Sequence, residues 1–499
     1  MNINYFVMNR MVSERNSCEE DIHTLHTLIN DRKIARQSTF VSFIDMRKDF
    51  DSVPRNMLWY KLIKTGIHRK FLSALQSLYD NVKGAVKVND CLTPWLKVDT
   101  GVKQGCLLLP SLFAIYINDL TERINPLGCG IQIDDIQLSI LLYADDIAVI
   151  APDESKLQLM LNEVAAWCQD WKLQINPTKT KIEHFRNVSV HQLPHLFYCG
   201  THNLDYTNSY KYLRLWFDEN LTMDKAVKEL SKSASRALGT LFGKFIYAGG
   251  MTWKIYNKLY TSMVEPILFY GSGIWGTRSH NVINNVQAKA AKYFLAVGKR
   301  TLNVSVRGDL GLTTCLTKQK LSCKRLKCKL VRTDDDRLTS IVALWASRRR
   351  KGWHFQVNNF ISEIDASGVV TNVLISVKSA IRIIQNKICT LDQNQFVRDL
   401  NDDRRNINGN KLRTYRLYKT SIQTEHYVSC QLPRTLRRTM ALFRSGALPL
   451  TVETESYSRP QIPLNERLCK FCNTNSVENE IHCLMLCPLY LYLVFRHSI

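Results

Sequence analysis

Three aspartates stand where acid is costly. Asp45 closes the apolar run TFVSFID, and Asp145-Asp146 interrupt LSILLYADDIAVIA. A carboxylate at the end of a buried strand is expensive unless positive charge meets it. Two divalent ions held about 4 Å apart would supply that charge, one activating an attacking hydroxyl and the other stabilising a leaving oxygen. Oxygen ligands favour Mg²⁺, which also binds substrate phosphates. Read singly, Asp145-Asp146 admits a plainer account, a solvated hairpin turn whose side chains bond local backbone. A second cluster is Cys469, Cys472, His482 and Cys487, spaced C-x2-C-x9-H-x4-C. Three thiolates and an imidazole make a closed tetrahedral Zn²⁺ site, with incidental cysteines in a small core as the alternative. Cys483 is an extra thiol that competes for the same place.

The elements that must position these groups follow from periodicity. Residues 20–35 space Ile22, Leu25, Leu28 and Ile29 at helical intervals. TFVSFID is a buried strand rich in β-branched and aromatic residues. Leu138–Tyr143 and Ile147–Ala151 form a hairpin with acid at its tip. Lys156–Trp171 is an amphipathic helix, with strands near 182–186 and 211–217. From about 225 to 350 the pattern is helical and basic; 352–410 carries little signal. The expected class is α+β.

Composition narrows the partners. The 499 residues carry 67 Lys plus Arg against 44 Asp plus Glu, a net charge of +23. A surplus of this size favours polyanions, nucleic acids first, with membrane surfaces and ribosomal contacts as alternatives. The 15 cysteines lie singly until the terminal cluster, and MNINYFVMNRMV has no apolar core of a secretory leader. A reducing, intracellular setting with free thiols is expected. No unbroken apolar run reaches the roughly 18 residues of a membrane span.

Between and after the aspartates lie TGVKQGCLLLPSLFAIYINDL, WKLQINPTKTKIEHF and YKYLRLWFDENL. In this order, the set resembles the reverse transcriptases of non-LTR (LINE-type) retrotransposons. FIDMRKDFDSVPR looks like motif A, GVKQGC…P like motif B, YADD like motif C, NPTKTK like motif D and YKYL like the primer grip. VEPILFYGSGIWG resembles the family's thumb and connecting region, and ERLCKFCNTNSVENEIHCLMLCP its C-terminal cysteine–histidine motif.

The resemblance implies a right-hand polymerase that copies an RNA template into DNA from a DNA primer and deoxynucleoside triphosphates. Asp45 and Asp145 would hold two Mg²⁺ ions, with Asp146 beside them. Gln104 and Gly105 would shape the pocket for template base and nucleotide, and Lys179 would face the triphosphate. Phe50 would exclude a ribose 2′-hydroxyl. Cys469, Cys472, His482 and Cys487 would hold the zinc, and the basic residues near Arg434–Arg444 would suit RNA or target DNA. The implied division is truncated fingers and palm (1–220), helical thumb and connection (221–350), an unassigned basic linker (351–460) and a zinc knuckle (461–499). Protein partners are not indicated, no membrane is implied, and the expected location is nucleus or cytoplasm.

The sequence departs from the family pattern at four places. Asp49 replaces the usual Ala before Phe-Asp, Leu109 replaces a Ser, and Arg214 replaces the primer-grip Gly, a position that would strain Arg if φ is positive. Arg10, Met11 and Val12 occupy the places of a Gly-Phe-Arg fingers motif, near which Arg15 remains. These departures suggest an N-terminally truncated copy and keep a rival open: a catalytically inactive nucleic-acid-binding relic. An intron maturase or telomerase-like enzyme fits the terminal cysteines poorly.

Overall fold

The computed structural model describes residues 17–103, 105–190, 195–332, 337–372, 374–402, 411–460 and 462–496. Gln104 and the segment holding Arg10, Met11, Val12 and Arg15 lie outside them. The chain divides into two compact units. One holds the chain up to Ala226 with Leu326–Ser362 and Val370–Val373; the other holds Val227–Arg325, Glu363–Val369 and the chain from Leu374 on.

The first unit is built on a six-stranded sheet. Its strands are β1 (Thr39–Ile44), β2 (Ile140–Tyr143), β3 (Asp146–Ala151), β4 (Lys181–Phe185), β5 (Phe197–Cys199) and β6 (His202–Tyr206), in the spatial order β5-β6-β4-β1-β3-β2. All six residues of β1 are buried, and the strand lies inside the sheet, bonded antiparallel to β3 on one edge and β4 on the other. Such a strand reads as a continuous apolar run rather than an alternation. The helix Glu154–Asp170 covers the sheet with Leu157, Met160, Leu161, Val164, Trp167 and Cys168, and Asp153 caps it by accepting from the Lys156 amide at 2.9 Å. The helix Cys18–Ile34 buries Glu20, Asp21 and Asp31 along with its apolar residues. Lys329 stands 3.0 Å from Glu20, and Arg349 stands 3.2 Å from Asp31. Arg348 pairs with Asp134 at 2.8 Å, so two residues of the Arg348–Lys351 run are engaged within this unit.

Two expected strands are subdivided. Ser139 separates Ile136–Leu138 from β2. The stretch near 211–217 is a hairpin of β7 (Ser209–Tyr212) and β8 (Leu215–Asp218) turned at Leu213 and Arg214, with φ +45° and +67°. Arg214 thus occupies the left-handed region that its glycine-like place suggested.

The second unit is helical. The stretch with little sequence signal contains Val377–Asp402, a 26-residue helix that buries Ala380, Ile384, Ile388, Asp392, Phe396 and Leu400. Its last turns pack with Leu412 and Tyr415 in a small core. Beside this core the buried Asp309 carboxylate accepts from Tyr415 at 3.0 Å, Tyr427 at 2.7 Å and Arg444 at 2.9 and 3.0 Å. A buried charge is tolerated when its lone pairs are met in this way. No helix among the described residues is long and apolar enough to cross a membrane.

Left-handed backbone costs a non-glycine residue roughly 1–2 kcal/mol. Arg214→Gly should therefore raise unfolding stability by about 1 kcal/mol, read from the urea midpoint at unchanged slope.

Candidate metal and nucleotide site

Sheet register brings the three aspartates together. Ile44 of β1 pairs with Ile147 of β3, so one step further Asp45 faces Asp146. β2 and β3 pair antiparallel through Tyr143 and Asp146, which leaves Ala144 and Asp145 as the two connecting residues. Ala144 has φ +50°, strain at the residue that presents Asp145. The segment 174–180 is bonded alongside. Asn176 donates its amide to the Asp45 carbonyl at 2.8 Å, and Thr180 Oγ1 accepts from the Asp45 amide at 3.1 Å. This carries Lys179 Nζ to 3.6 Å from Asp45 Oδ2. Lys179 is itself 69% exposed, so the pair is worth little to stability.

The electrostatics are those of crowded acid. Burial first, then Asp145 and Asp45, raises Asp146 to about 6. The same causes in the same order raise Asp49 to about 7, opposed by its own backbone and by Lys179. Asp45 Oδ2 and Asp49 Oδ1 are buried and accept no hydrogen bond among the described residues. Carboxylate oxygens left without a hydrogen bond among neighbouring acids are hard donors of the type a divalent cation takes, so the residue types present fit such an ion. Asp49 adds a fourth carboxylate beside Asp45, Asp145 and Asp146.

Phe50 is half-buried, its ring edge-on to Phe113 at 4.8 Å. Gly105 has φ +82° with open space where a Cβ would stand. Upstream of it, Gly101 has φ +83°, and a Cβ there would meet the Asp51 backbone at 2.8 Å, so only glycine fits. Tyr210 of β7 stacks on Phe43 at 4.3 Å. Burial, then Asp146 and Asp45, pushes its hydroxyl up to about 12, which sets the β7–β8 hairpin beside the carboxylates.

Sequence reasoning missed Thr180 and Arg55. Arg55 is the first residue of the helix Arg55–Lys64, where a cation opposes the helix dipole. That misfit was the available signal that the guanidinium is bonded elsewhere.

In the second unit, one ligand atom each from Cys469, Cys472, His482 and Cys487 lies within 4.8 Å of the others. His482 Nε2 stands 3.3 Å from Cys472 Sγ. A hydrogen bond from Thr474 is the largest cause lowering the Cys472 thiol to about 6, favouring the thiolate that binds metal. Four soft and borderline donors at this spacing fit a tetrahedral ion. Cys483 is not in the group, and burial raises its thiol to about 12. Arg413 ties the cluster to its unit, donating to Glu480 at 2.5 and 3.0 Å and to Glu453 at 2.7 Å. In the nearby basic helix Arg434–Arg444, Arg437 lies buried over the Phe294 ring at 4.1 Å and Arg444 is bound to Asp309. Of its arginines, Arg434 and Arg438 are exposed.

Asp49 offers a test of the crowding. Its folded value lies above its ordinary 3.8, so between about pH 4 and 7 the folded chain holds a proton that the unfolded chain has released. Stability from this group therefore falls as pH rises through that window. With divalent ions chelated, Asp49→Asn should melt higher than the parent protein at pH 8, and the gap should close by pH 4 in thermal scans.

Residues 1–217 match the family model described as reverse transcriptase (RNA-dependent DNA polymerase). Among known proteins, the chain is 25% identical to the RNA-directed DNA polymerase from mobile element jockey of Drosophila funebris, over 50% of this chain and 27% of that protein. It is 27% identical to the probable RNA-directed DNA polymerase from transposon BS of Drosophila melanogaster, over 54% of this chain and 30% of that protein. The chain thus spans less than a third of the length of these relatives. A structure of telomerase from Candida albicans in complex with a fragment of telomeric RNA aligns at TM-score 0.31 and 13% identity, over 70% of this chain and 57% of that one. Asp45, Asp145 and Asp146 lie at one end of a mixed sheet inside the matched residues, and over that region the chain is similar to reverse transcriptases, among them polymerases of mobile elements.

Proposed function

We propose that the chain is an RNA-directed DNA polymerase of a non-LTR retrotransposon, joining deoxynucleotides to a primer 3′-hydroxyl on an RNA template. The observation that carries this reading is the convergence of Asp45 and Asp145, with Asp146 beside them, through the register of β1 and β3. Asp45 and Asp145 would hold two Mg²⁺ ions, which when bound supply Lewis acidity to the attacking and leaving oxygens. Asp146 is the supporting carboxylate. Lys179, exposed and 3.6 Å from Asp45, is within reach of a triphosphate and offsets its charge. Gln104 and Gly105 would help shape the pocket for template base and nucleotide. Phe50 abuts the sugar and disfavours a 2′-hydroxyl.

On this reading the sheet unit up to about 220 is the palm with part of the fingers, and 221–350 is thumb and connection. Residues 351–460 are a linker region of unassigned role. The module 461–499 is a zinc knuckle, held closed by Cys469, Cys472, His482 and Cys487. The partners of the chain are RNA template, primer or target DNA, and dNTPs, and its place of work is the nucleus or cytoplasm. A second reading, an inactive nucleic-acid-binding descendant, is favoured by Asp49, whose charge crowds the metal carboxylates.

The deciding experiment is primer extension on poly(rA)–oligo(dT) with Mg²⁺. Extension by the parent protein, reduced at least ~10²-fold in the Asp145→Ala, Asp146→Ala double variant, is expected for a metal-dependent step. A folded, RNA-binding parent that extends nothing favours the second reading. For the terminal module, one zinc per chain is expected by elemental analysis, falling to near zero in Cys469→Ser, Cys472→Ser.

A further inference from the structure

The guanidinium of Arg55 reaches three carbonyls drawn from two separate parts of the chain. Nε donates to Gly101 O at 3.1 Å, Nη2 to Thr100 O at 3.2 Å and Nη1 to Tyr79 O at 3.2 Å. Its carbon also lies 5.2 Å from the centre of the Tyr79 ring. The Tyr79 hydroxyl in turn accepts from the Lys103 amide at 3.4 Å. On the other side, the Gly101 amide donates to Val53 O at 2.9 Å and the Val102 amide to Phe50 O at 2.8 Å. The segment 100–103 is therefore held on both edges, by the 50–53 backbone and by Arg55 with the end of the helix Arg69–Tyr79.

What this segment carries gives the arrangement its meaning. Two residues beyond it lies Gly105, and the backbone partner of Val102 is Phe50 itself. The five donors of a guanidinium sit in a fixed plane, so three carbonyls met at once fix a geometry that a lysine cannot reproduce. Hydrogen bonds from a charged group are worth more than neutral ones.

We propose that Arg55 is a positioning residue for nucleotide binding, locking segment 100–103 so that Phe50 and Gly105 face the incoming deoxynucleotide in fixed register. This rests on the polymerase reading above, with Arg55 acting through other residues and touching no reacting atom. Loss of the lock loosens the nucleotide pocket and leaves Asp45, Asp145 and Asp146 where β1 and β3 hold them.

The test compares the full chain with Arg55→Met and Arg55→Lys by hydrogen exchange and by primer-extension kinetics. In Arg55→Met the Gly101 and Val102 amides should exchange about tenfold faster, with the β1 amides unchanged. The KM for dTTP should rise about tenfold with kcat altered less than about twofold, and discrimination against UTP should weaken. Arg55→Lys should recover little of either effect. Unchanged exchange at 101–102 overturns the lock. Faster exchange with an unaltered KM overturns its link to the nucleotide, as does a fall in kcat alone. If Arg55→Met loosens β1 as well, Arg55→Lys supplies the same comparison in a chain that keeps the charge. A parent protein that extends no primer overturns the polymerase reading, and the exchange measurement still decides the lock.

Discussion

Mutual repulsion among four carboxylates is the constraint around which the sheet unit is organised. Asp45, Asp49, Asp145 and Asp146 would separate if the chain allowed it, since like charges a few ångströms apart in a partly dry setting disfavour ionisation. The sheet does not allow it. Asp45 is fixed by the register of a fully buried strand bonded on both sides, and Asp145 by a two-residue connection whose first member is already strained. Burial first, and then this repulsion, raises the acid values of Asp146 and Asp49. A fold that keeps unfavourable charge in place is storing affinity for whatever neutralises it.

The surrounding elements can be ordered by how they serve that cluster. The segment 174–180 is stitched to the backbone at Asp45 and delivers Lys179, whose ammonium stands 3.6 Å from the Asp45 carboxylate. The turn after β1 continues to Phe50, whose carbonyl accepts from the Val102 amide of the 100–103 segment. The β7–β8 hairpin closes a further side through Tyr210.

How much of this was legible in the sequence depended on whether the signal was local. β1, the acidic hairpin and the cysteine spacing could be read because each is carried by fewer than twenty neighbouring residues of consistent character. The helix Val377–Asp402 was not legible. Its buried stripe recurs every four residues from Ala380 to Leu400, one residue per turn and including Asp392, too narrow to lift its periodicity above the polar majority. Arg437 and Arg444 looked like nucleic-acid contacts by charge alone, yet their partners, Phe294 and Asp309, are more than a hundred residues away. Arg55 escaped for the same reason, since its carbonyl partners lie 24 to 46 residues along the chain. Cys483 and its neighbours could be separated only by knowing which way each thiol points.

The central claim is that this carboxylate cluster is a divalent-metal site. The most direct measurement is anomalous diffraction from crystals of the chain grown with Mn²⁺, a primer–template duplex and a non-hydrolysable deoxynucleotide. The account predicts Mn²⁺ peaks bridged by Asp45 and Asp145. Nucleotide bound without metal at those carboxylates, or Mn²⁺ ordered elsewhere while Asp45 and Asp145 bind none, would contradict it.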